Sequence, residues 1–193
     1  IERFPDTGLK VTWRADVRAG YAGPAVADGR VFLLDWQEHS ESRTLDGIER
    51  VLALDEQTGD ILWTHQWETS YRMLMVTYAI GPRATPTVDG DRVYVVGATG
   101  RLWCLDVESG TVIWQKDYVE QYGTNVPVWG VTSAPLVDGN RLITIVGGEP
   151  NALVVAFNKQ TGEELWRRRL IPAPGEPGDE TCCLLYTSDA ADE

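Results

Sequence analysis

Residues 53–63 read ALDEQTGDILW, and two variants of this stretch follow as CLDVESGTVIW at residues 104–114 and AFNKQTGEELW at residues 156–166. Each copy ends on a tryptophan, and these tryptophans lie 51 and 52 residues apart: Trp63, Trp114 and Trp166. A further tryptophan, Trp13, lies 50 residues before the first of them. A repeat of this length with strands inside it predicts an array of small, similar sheets.

The three copies share the chemistry of a strand, a tight turn and a second strand. An Asp or Asn follows the first apolar run, and its side chain can accept hydrogen bonds from the turn amides. A glycine then supplies a left-handed backbone position. The repeated turn residues are Asp55, Gly59, Asp106, Gly110, Asn158 and Gly162. We expect these residues to be structural, and each repeat tryptophan to pack between adjacent sheets or against a neighbouring turn.

A second shared phrase lies upstream of each turn. Asp-Gly stands between two apolar runs at residues 28–29, 89–90 and 138–139, which is a strong hairpin signal. Together the two phrases predict a four-stranded meander in each repeat. In the middle repeat the strands are expected near residues 84–88, 92–98, 101–106 and 111–117. Apolar residues on both strand faces indicate sheets that are covered on both sides.

These features predict an all-β fold, a partial β-propeller of about three four-stranded antiparallel blades, with no helix longer than a turn or two. The blades are expected at approximately residues 20–67, 83–118 and 132–170. We interpret them as part of a larger propeller of about seven or eight blades.

The repeat pattern resembles that of a known family. Its form, A-x-D-x-x-T-G-x-x-x-W preceded by S-x-P-x-V-x-G-x-x-V-Y, is similar to the PQQ-like propeller repeat of quinoprotein alcohol dehydrogenases and of the outer-membrane assembly lipoprotein BamB. The resemblance covers about residues 8–170. It implies the propeller fold, and it does not imply a bound quinone, because many proteins with these repeats bind none.

The two ends of the chain suggest a fragment. Residues 183–193 match one reading frame of a common transposase-based sequencing adapter, so we interpret them as a translated adapter at the end of a metagenomic read. A natural acidic tail is the alternative. Residues 1–182 would then be an incomplete propeller, with Val154, Phe157 and Leu165 on an exposed blade face. Under this resemblance the adjacent pair Cys182-Cys183 could correspond to the disulfide between adjacent cysteines of quinoprotein alcohol dehydrogenases. Because Cys183 falls inside the adapter match, we interpret the pair as accidental.

Charge and hydropathy exclude two classes of partner. The net charge is −12, or −9 without the three carboxylates of residues 183–193, and this argues against nucleic acid as a partner. No apolar run is long enough to span a bilayer. Cys104 lies on a predicted strand and is expected to be a small buried residue.

The longer connections are all predicted at one end of the blades. They are residues 36–49, 68–83, 118–132 and 171–180, whereas the connections at the other end are tight turns. A rigid scaffold with long loops on one face favours recognition there. The candidates for this binding face are Tyr71, Arg72, Tyr78, Arg83 and Trp129. Two alternatives remain open: the aromatic residues only cover the blade ends, or Arg83, which could hold a carboxylate near the central channel, forms a structural salt bridge.

No catalytic, cofactor-binding or metal-binding residue is predicted. The two histidines, His39 and His65, are 26 residues apart and lack further ligands at zinc spacing. The resemblance therefore favours a non-catalytic scaffold that binds proteins in the periplasm or at the outer membrane. The alternative is part of a quinoprotein alcohol dehydrogenase. That reading implies PQQ, a calcium ion with Glu, Asn and Asp ligands, a tryptophan beneath the quinone and a catalytic Asp, none of which can be placed here.

Overall fold

The computed structural model describes residues 8–39, 44–77, 80–148 and 152–169. Within these ranges the chain forms three four-stranded antiparallel sheets, and in each sheet neighbouring strands are consecutive in sequence. The predicted all-β, partial propeller fold is confirmed. The predicted fragment end, including Cys182, Cys183 and residues 183–193, lies outside the described residues.

Each sheet is one blade. The first blade contains β1 (Ala25–Ala27), β2 (Arg30–Glu38), β3 (Asp46–Asp55) and β4 (Ile61–Ser70). The second contains β5 (Thr87–Asp89), β6 (Arg92–Val96), β7 (Arg101–Asp106) and β8 (Val112–Asp117). The third contains β9 (Leu136–Asp138), β10 (Arg141–Gly148), β11 (Ala152–Asn158) and β12 (Glu164–Arg168).

The blades stand side by side around their first strands. These strands are short, and β5 contacts both β1 and β9. In the second blade the inner strands are shorter than predicted. Pro86 cannot donate to a strand partner, so β5 begins after it. β6 ends at Val96 because residues 97–100 form a tight turn, in which Gly97 N donates to Arg101 O at 2.8 Å.

A short helix, α1 (Tyr118–Tyr122), follows β8 directly. The Asp117 side chain accepts hydrogen bonds from Val119 N and Glu120 N, and Gly123 ends the helix in a left-handed conformation with φ 65°. Its length agrees with the prediction of no helix beyond a turn or two. No helix among the described residues is long and apolar enough to cross a membrane.

Apolar cores fill both blade junctions. Phe32, Val51 and Trp63 pack with Val93 and Leu105 between the first two blades. Tyr94 and Trp114 pack with Leu142 and Phe157 between the second and third.

The expectation of an exposed outer face on the third blade is wrong for Phe157. This side chain is fully buried because it faces the second blade, 6.3 Å from the Trp114 ring and 6.1 Å from the Tyr122 ring between centroids. Val154 is partly buried, and Leu165 is exposed.

We call the end of the blades that carries the tight turns the turn face. There, Trp63 Nε1 donates to Val107 O at 2.9 Å, and Trp114 Nε1 donates to Lys159 O at 3.1 Å. Trp13 makes the same contact with Glu56 O at 2.7 Å. Each acceptor carbonyl directly follows the repeated Asp or Asn of the next turn. Trp63 and Trp114 thus join the first and second blades to the turn of the next blade, and Trp13 joins the preceding segment to the turn of the first. Trp166, in the third blade, is half-buried.

Two independent features require glycine at the repeated turn position: the backbone conformation and the closeness of a tryptophan ring. Gly59, Gly110 and Gly162 have φ between 70° and 78°, where residues with a Cβ are strained. A Cβ at these positions would also lie 2.5, 2.5 and 2.7 Å from the rings of Trp13, Trp63 and Trp114. The glycine therefore closes the turn and provides the surface on which the tryptophan lies.

The repeated Asp and Asn side chains hold the same turns. Asp106 Oδ1 accepts from Glu108 N at 3.1 Å and Ser109 N at 2.8 Å, and Asn158 Oδ1 makes the equivalent bonds at 2.9 and 3.2 Å. Hydrogen bonds from the Ser109 side chain and amide lower the pKa of Asp106. The amides of Thr58 and Gln57 lower the pKa of Asp55. These residues are turn caps.

Candidate interaction surface

The opposite end of the blades, which we call the loop face, carries the long connections. Two of them, residues 71–86 and 123–135, are joined where Met75 N donates to Val128 O at 2.6 Å. The first is tied to the β2–β3 connection by Tyr71 N and Leu45 O at 2.8 Å, and the second to the second blade by Val131 N and Ala98 O at 2.8 Å. Backbone hydrogen bonds therefore make one continuous surface from separate loops.

Arg83 holds the first long connection in place. Its guanidinium donates from Nη1 to Gly81 O at 2.9 Å and from Nη2 to Met75 O at 3.1 Å. Gly130 lies beside it, since a Cβ there would be 3.4 Å from Arg83 Nη1. The half-buried guanidinium is thus bound to backbone carbonyls in the described part of the chain, and its predicted role in holding a ligand carboxylate stays a prediction.

Three exposed apolar residues lie within two residues, along the chain, of the two partners of the Met75–Val128 hydrogen bond on the loop face. Met73 is 84 % exposed, Val128 is 49 % exposed and Trp129 is 41 % exposed. We call these three residues the apolar patch. Among the described candidates from the sequence, Trp129 is an aromatic residue that is partly accessible to solvent.

The other candidates have different environments. Tyr71 is fully buried: its ring stacks on Trp36 at 4.9 Å between centroids, and it cannot contact a partner in this arrangement. Arg72 is exposed, donates to Thr44 O at 3.1 Å and is ion-paired with Asp46. Tyr78 lies outside the described residues. The structure therefore leaves Arg72 and Trp129 as accessible candidates.

Glu49 is a buried carboxyl group beneath the loop face that the sequence did not reveal. Its Oε1 accepts from the Tyr71 hydroxyl at 2.5 Å and from Ala98 N at 2.9 Å. Burial raises the pKa of Glu49, against the opposing effects of these two hydrogen bonds, of the Trp67 indole and of the Arg83 charge. A glutamate between Ile48 and Arg50 on a strand gives no signal of burial unless the covering blade is known.

A cleft of about 320 Å³ opens at the rim of the loop face between the first and second blades. It is lined by Glu68, Thr69, Ser70, Thr99, Arg101, Asp117, Val119 and Glu120. Arg101 is paired with Asp117 at 3.4 Å, and Thr69 and Thr99 hydroxyls are 3.1 Å apart. Asp117 followed three residues later by Glu120 is a sequence pattern typical of a helix start, and it is the local signal that marks this side of the cleft.

The remaining reactive side chains have structural environments. His39 is exposed, with Nε2 2.8 Å from Glu68 Oε2. His65 packs against Trp103 at 4.6 Å between centroids, and burial lowers its pKa. Cys104 is buried, which raises the pKa of its thiol to about 12 and keeps it protonated at neutral pH.

The acidic side chains among the described residues do not form a calcium site. No group of three or more His, Cys, Asp or Glu side chains among them is placed to hold a metal ion. Glu49 has a carboxylate oxygen without a partner, but its neighbours are a hydroxyl, an amide N–H and the Trp67 ring rather than the several oxygen ligands that calcium needs.

Comparison with known proteins gives two kinds of relative. BamB of Burkholderia pseudomallei is 29% identical over 181 residues, which are 89% of this chain and 41% of that protein. Quinohemoprotein alcohol dehydrogenase ADH IIB of Pseudomonas putida is 28% identical over 176 residues, which are 88% of this chain and 23% of that protein. The chain therefore spans less than half the length of either relative.

The fold comparison agrees with these relatives. The crystal structure of BamB from Moraxella catarrhalis has a TM-score of 0.55 at 22% identity, covering 82% of this chain and 40% of that one. A family model described as outer membrane protein assembly factor BamB matches residues 5–176. Since that match covers most of the sequence, the chain belongs to this family of PQQ-like propellers.

Proposed function

We propose that this chain is part of a non-catalytic propeller scaffold that binds proteins in the periplasm or at the outer membrane through its loop face. The observation that carries the proposal is the apolar patch of Met73, Val128 and Trp129. Exposed tryptophan and methionine are enriched at protein interfaces, and tryptophan is a frequent hot spot.

The framework beneath the apolar patch supports this proposal. The Met75–Val128 backbone contact and the Arg83 hydrogen bonds fix the two long connections relative to each other. A surface that is held in place before binding loses less conformational entropy when a partner docks. The family description, outer membrane protein assembly factor, gives the process in which such a partner would act.

Site-specific photo-crosslinking tests the proposal. A crosslinking amino acid at Trp129 or Met73 should capture outer-membrane assembly proteins in the bacterial envelope, whereas the same amino acid at Gln57, in an exposed turn of the turn face, should not. Trp129→Ala should weaken binding of the captured partner at least about tenfold. Equal capture from both faces would contradict the loop-face assignment.

The second candidate function is part of a quinoprotein alcohol dehydrogenase, favoured by the likeness to ADH IIB over most of the chain. The described residues do not supply its calcium ligands, and we derive no catalytic step from them. Titration of the chain with PQQ in the presence of calcium distinguishes the two candidates. Saturable quinone binding with alcohol-dependent dye reduction would favour the enzyme over the scaffold.

A further inference from the structure

One side chain links both long connections of the loop face. Glu49, on β3, accepts from the hydroxyl of Tyr71, where the first connection begins, and from Ala98 N in the second blade. The carbonyl of Ala98 in turn accepts from Val131 N, in the second connection, at 2.8 Å. The Glu49 carboxyl group is therefore the central contact of a chain of hydrogen bonds across the blade junction.

The enclosure of this group suits a neutral acid. Glu49 is fully buried, and no hydrogen bond to its Oε2 is formed in the described part of the chain. The neighbouring Trp67 indole, whose Nε1 is also buried without a hydrogen-bond partner there, lowers the pKa of Glu49 and so opposes the effect of burial. Gly97 lies so close that a Cβ there would be 2.2 Å from Oε2 and 3.0 Å from Trp67 Cζ2. A carboxylate would leave a charge on Oε2 that neither water nor an ion pair solvates, whereas the neutral acid leaves only one buried O–H without an acceptor among the described residues, which costs less free energy.

The charged surroundings of Glu49 are limited among the described residues. Tyr71 faces it from the segment after β4 and is neutral, because burial raises its pKa. Arg83, from the segment before β5, acts on Glu49 only through its charge. Arg50, the next residue on β3, is bound to Asp35 through two hydrogen bonds of 2.6 and 2.8 Å.

We propose that Glu49 is a proton-dependent clamp of the loop face. As a neutral acid it holds Tyr71 and Ala98 together across the blade junction. When its proton passes to solvent, the buried charge draws water into the junction and releases both long connections. This proposal does not rest on the binding function, because stability and amide exchange report it without any partner.

The direction of the pH dependence follows from burial. Burial raises the pKa of Glu49 above the ordinary value of 4.5. The stabilisation that the neutral acid provides is therefore complete below that value and is lost as the pH rises through the pKa of the folded state.

Glu49→Gln is the direct test, because glutamine keeps a carbonyl acceptor for Tyr71 and Ala98 but cannot ionise. Between about pH 5 and about pH 9, the unfolding midpoint of the wild type should fall by about 5 °C or more relative to Glu49→Gln. Glu108→Gln, at an exposed glutamate in a turn of the second blade, should follow the wild type. Amides of residues 71–77 and 123–131 should lose exchange protection at high pH in the wild type alone.

Parallel pH curves for the wild type and Glu49→Gln would overturn the proposal. A second measurement covers the case in which the variant does not fold. The infrared spectrum of the wild type should contain the carbonyl band of a buried protonated carboxylic acid at neutral pH, which disappears at high pH. A spectrum without that band at neutral pH would also overturn the proposal.

Discussion

The two blade junctions are alike at the turn face and different at the loop face. At the turn face, Trp63 and Trp114 make the same hydrogen bond to a turn carbonyl and lie on the same glycine of the next repeat. At the loop face, the first junction contains the buried acid Glu49 with Tyr71.

The buried hydrogen bonds of the second junction at the loop face join neutral groups, whereas the bond from the Tyr122 hydroxyl to Glu164 Oε2, at 3.0 Å, is only partly buried. There, the hydroxyls of Tyr118 and Thr144 are 2.8 Å apart, and the Thr124 hydroxyl donates to Val146 O at 2.9 Å. The two ends of each blade therefore have different structural roles. The repeated turn fixes how blades are spaced, so the opposite end can differ from junction to junction without loss of the fold.

The largest expected effect is removal of a repeat tryptophan. Trp114→Ala should lower the free energy of unfolding by about 3–5 kcal/mol, because it removes a large side chain from the second junction and its bond to Lys159. Denaturant titration measures this loss. Met73→Ala, at a side chain that is 84 % exposed, should change stability by no more than about 0.5 kcal/mol. A loss below about 1 kcal/mol for Trp114→Ala would mean that the turn face does not hold the blades.

A pair of glycine variants separates backbone strain from tryptophan contact. Gly90→Ala should cost about 1–2 kcal/mol, because Gly90 has φ 57° but open space around the position of a Cβ. Gly110→Ala should cost about 2–4 kcal/mol, because its Cβ would also meet the Trp63 ring at 2.5 Å. Chemical unfolding of both variants checks the difference. Equal losses would show that the tryptophan moves aside freely.

The smallest effect concerns the turn caps in acid. The pKa of Asp106 is lowered in the folded state, so its stabilisation is present above the ordinary value of 3.8 and is lost as the pH falls through the folded value. Asp106→Asn, which copies the residue at Asn158, should flatten this acid loss. Urea midpoints at about pH 6 and about pH 3 measure it, with Glu108→Gln in the same turn as control. A variant as acid-sensitive as the wild type would contradict the capping role.

Sequence reasoning succeeds where the physics is local and repeated. The Asp-x-x-Thr-Gly turn and the Asp-Gly hairpin each depend on backbone conformations that few residues adopt, so residues 53–63 and their copies predicted the blades. Helix α1 also has a local sequence signal: Asp117 caps its start, Glu120 lies in its first turn and Gly123 ends it.

Reasoning from the sequence fails where a side chain depends on a neighbouring blade. Tyr71, expected on the binding face, is buried because Trp36 and Glu49 come to it from other strands. Phe157, expected on an exposed face, is covered by the second blade. Strand periodicity reports that a residue points to one side of a sheet, and it does not report what lies there.

The tryptophan contacts of the turn face also constrain the timing of assembly. Trp13, Trp63 and Trp114 reach carbonyls that lie 43, 44 and 45 residues further along the chain. A newly made blade therefore cannot place its tryptophan against the acceptor until most of another repeat has been synthesised. During synthesis, each junction can therefore close no earlier than about one repeat after its tryptophan has been made.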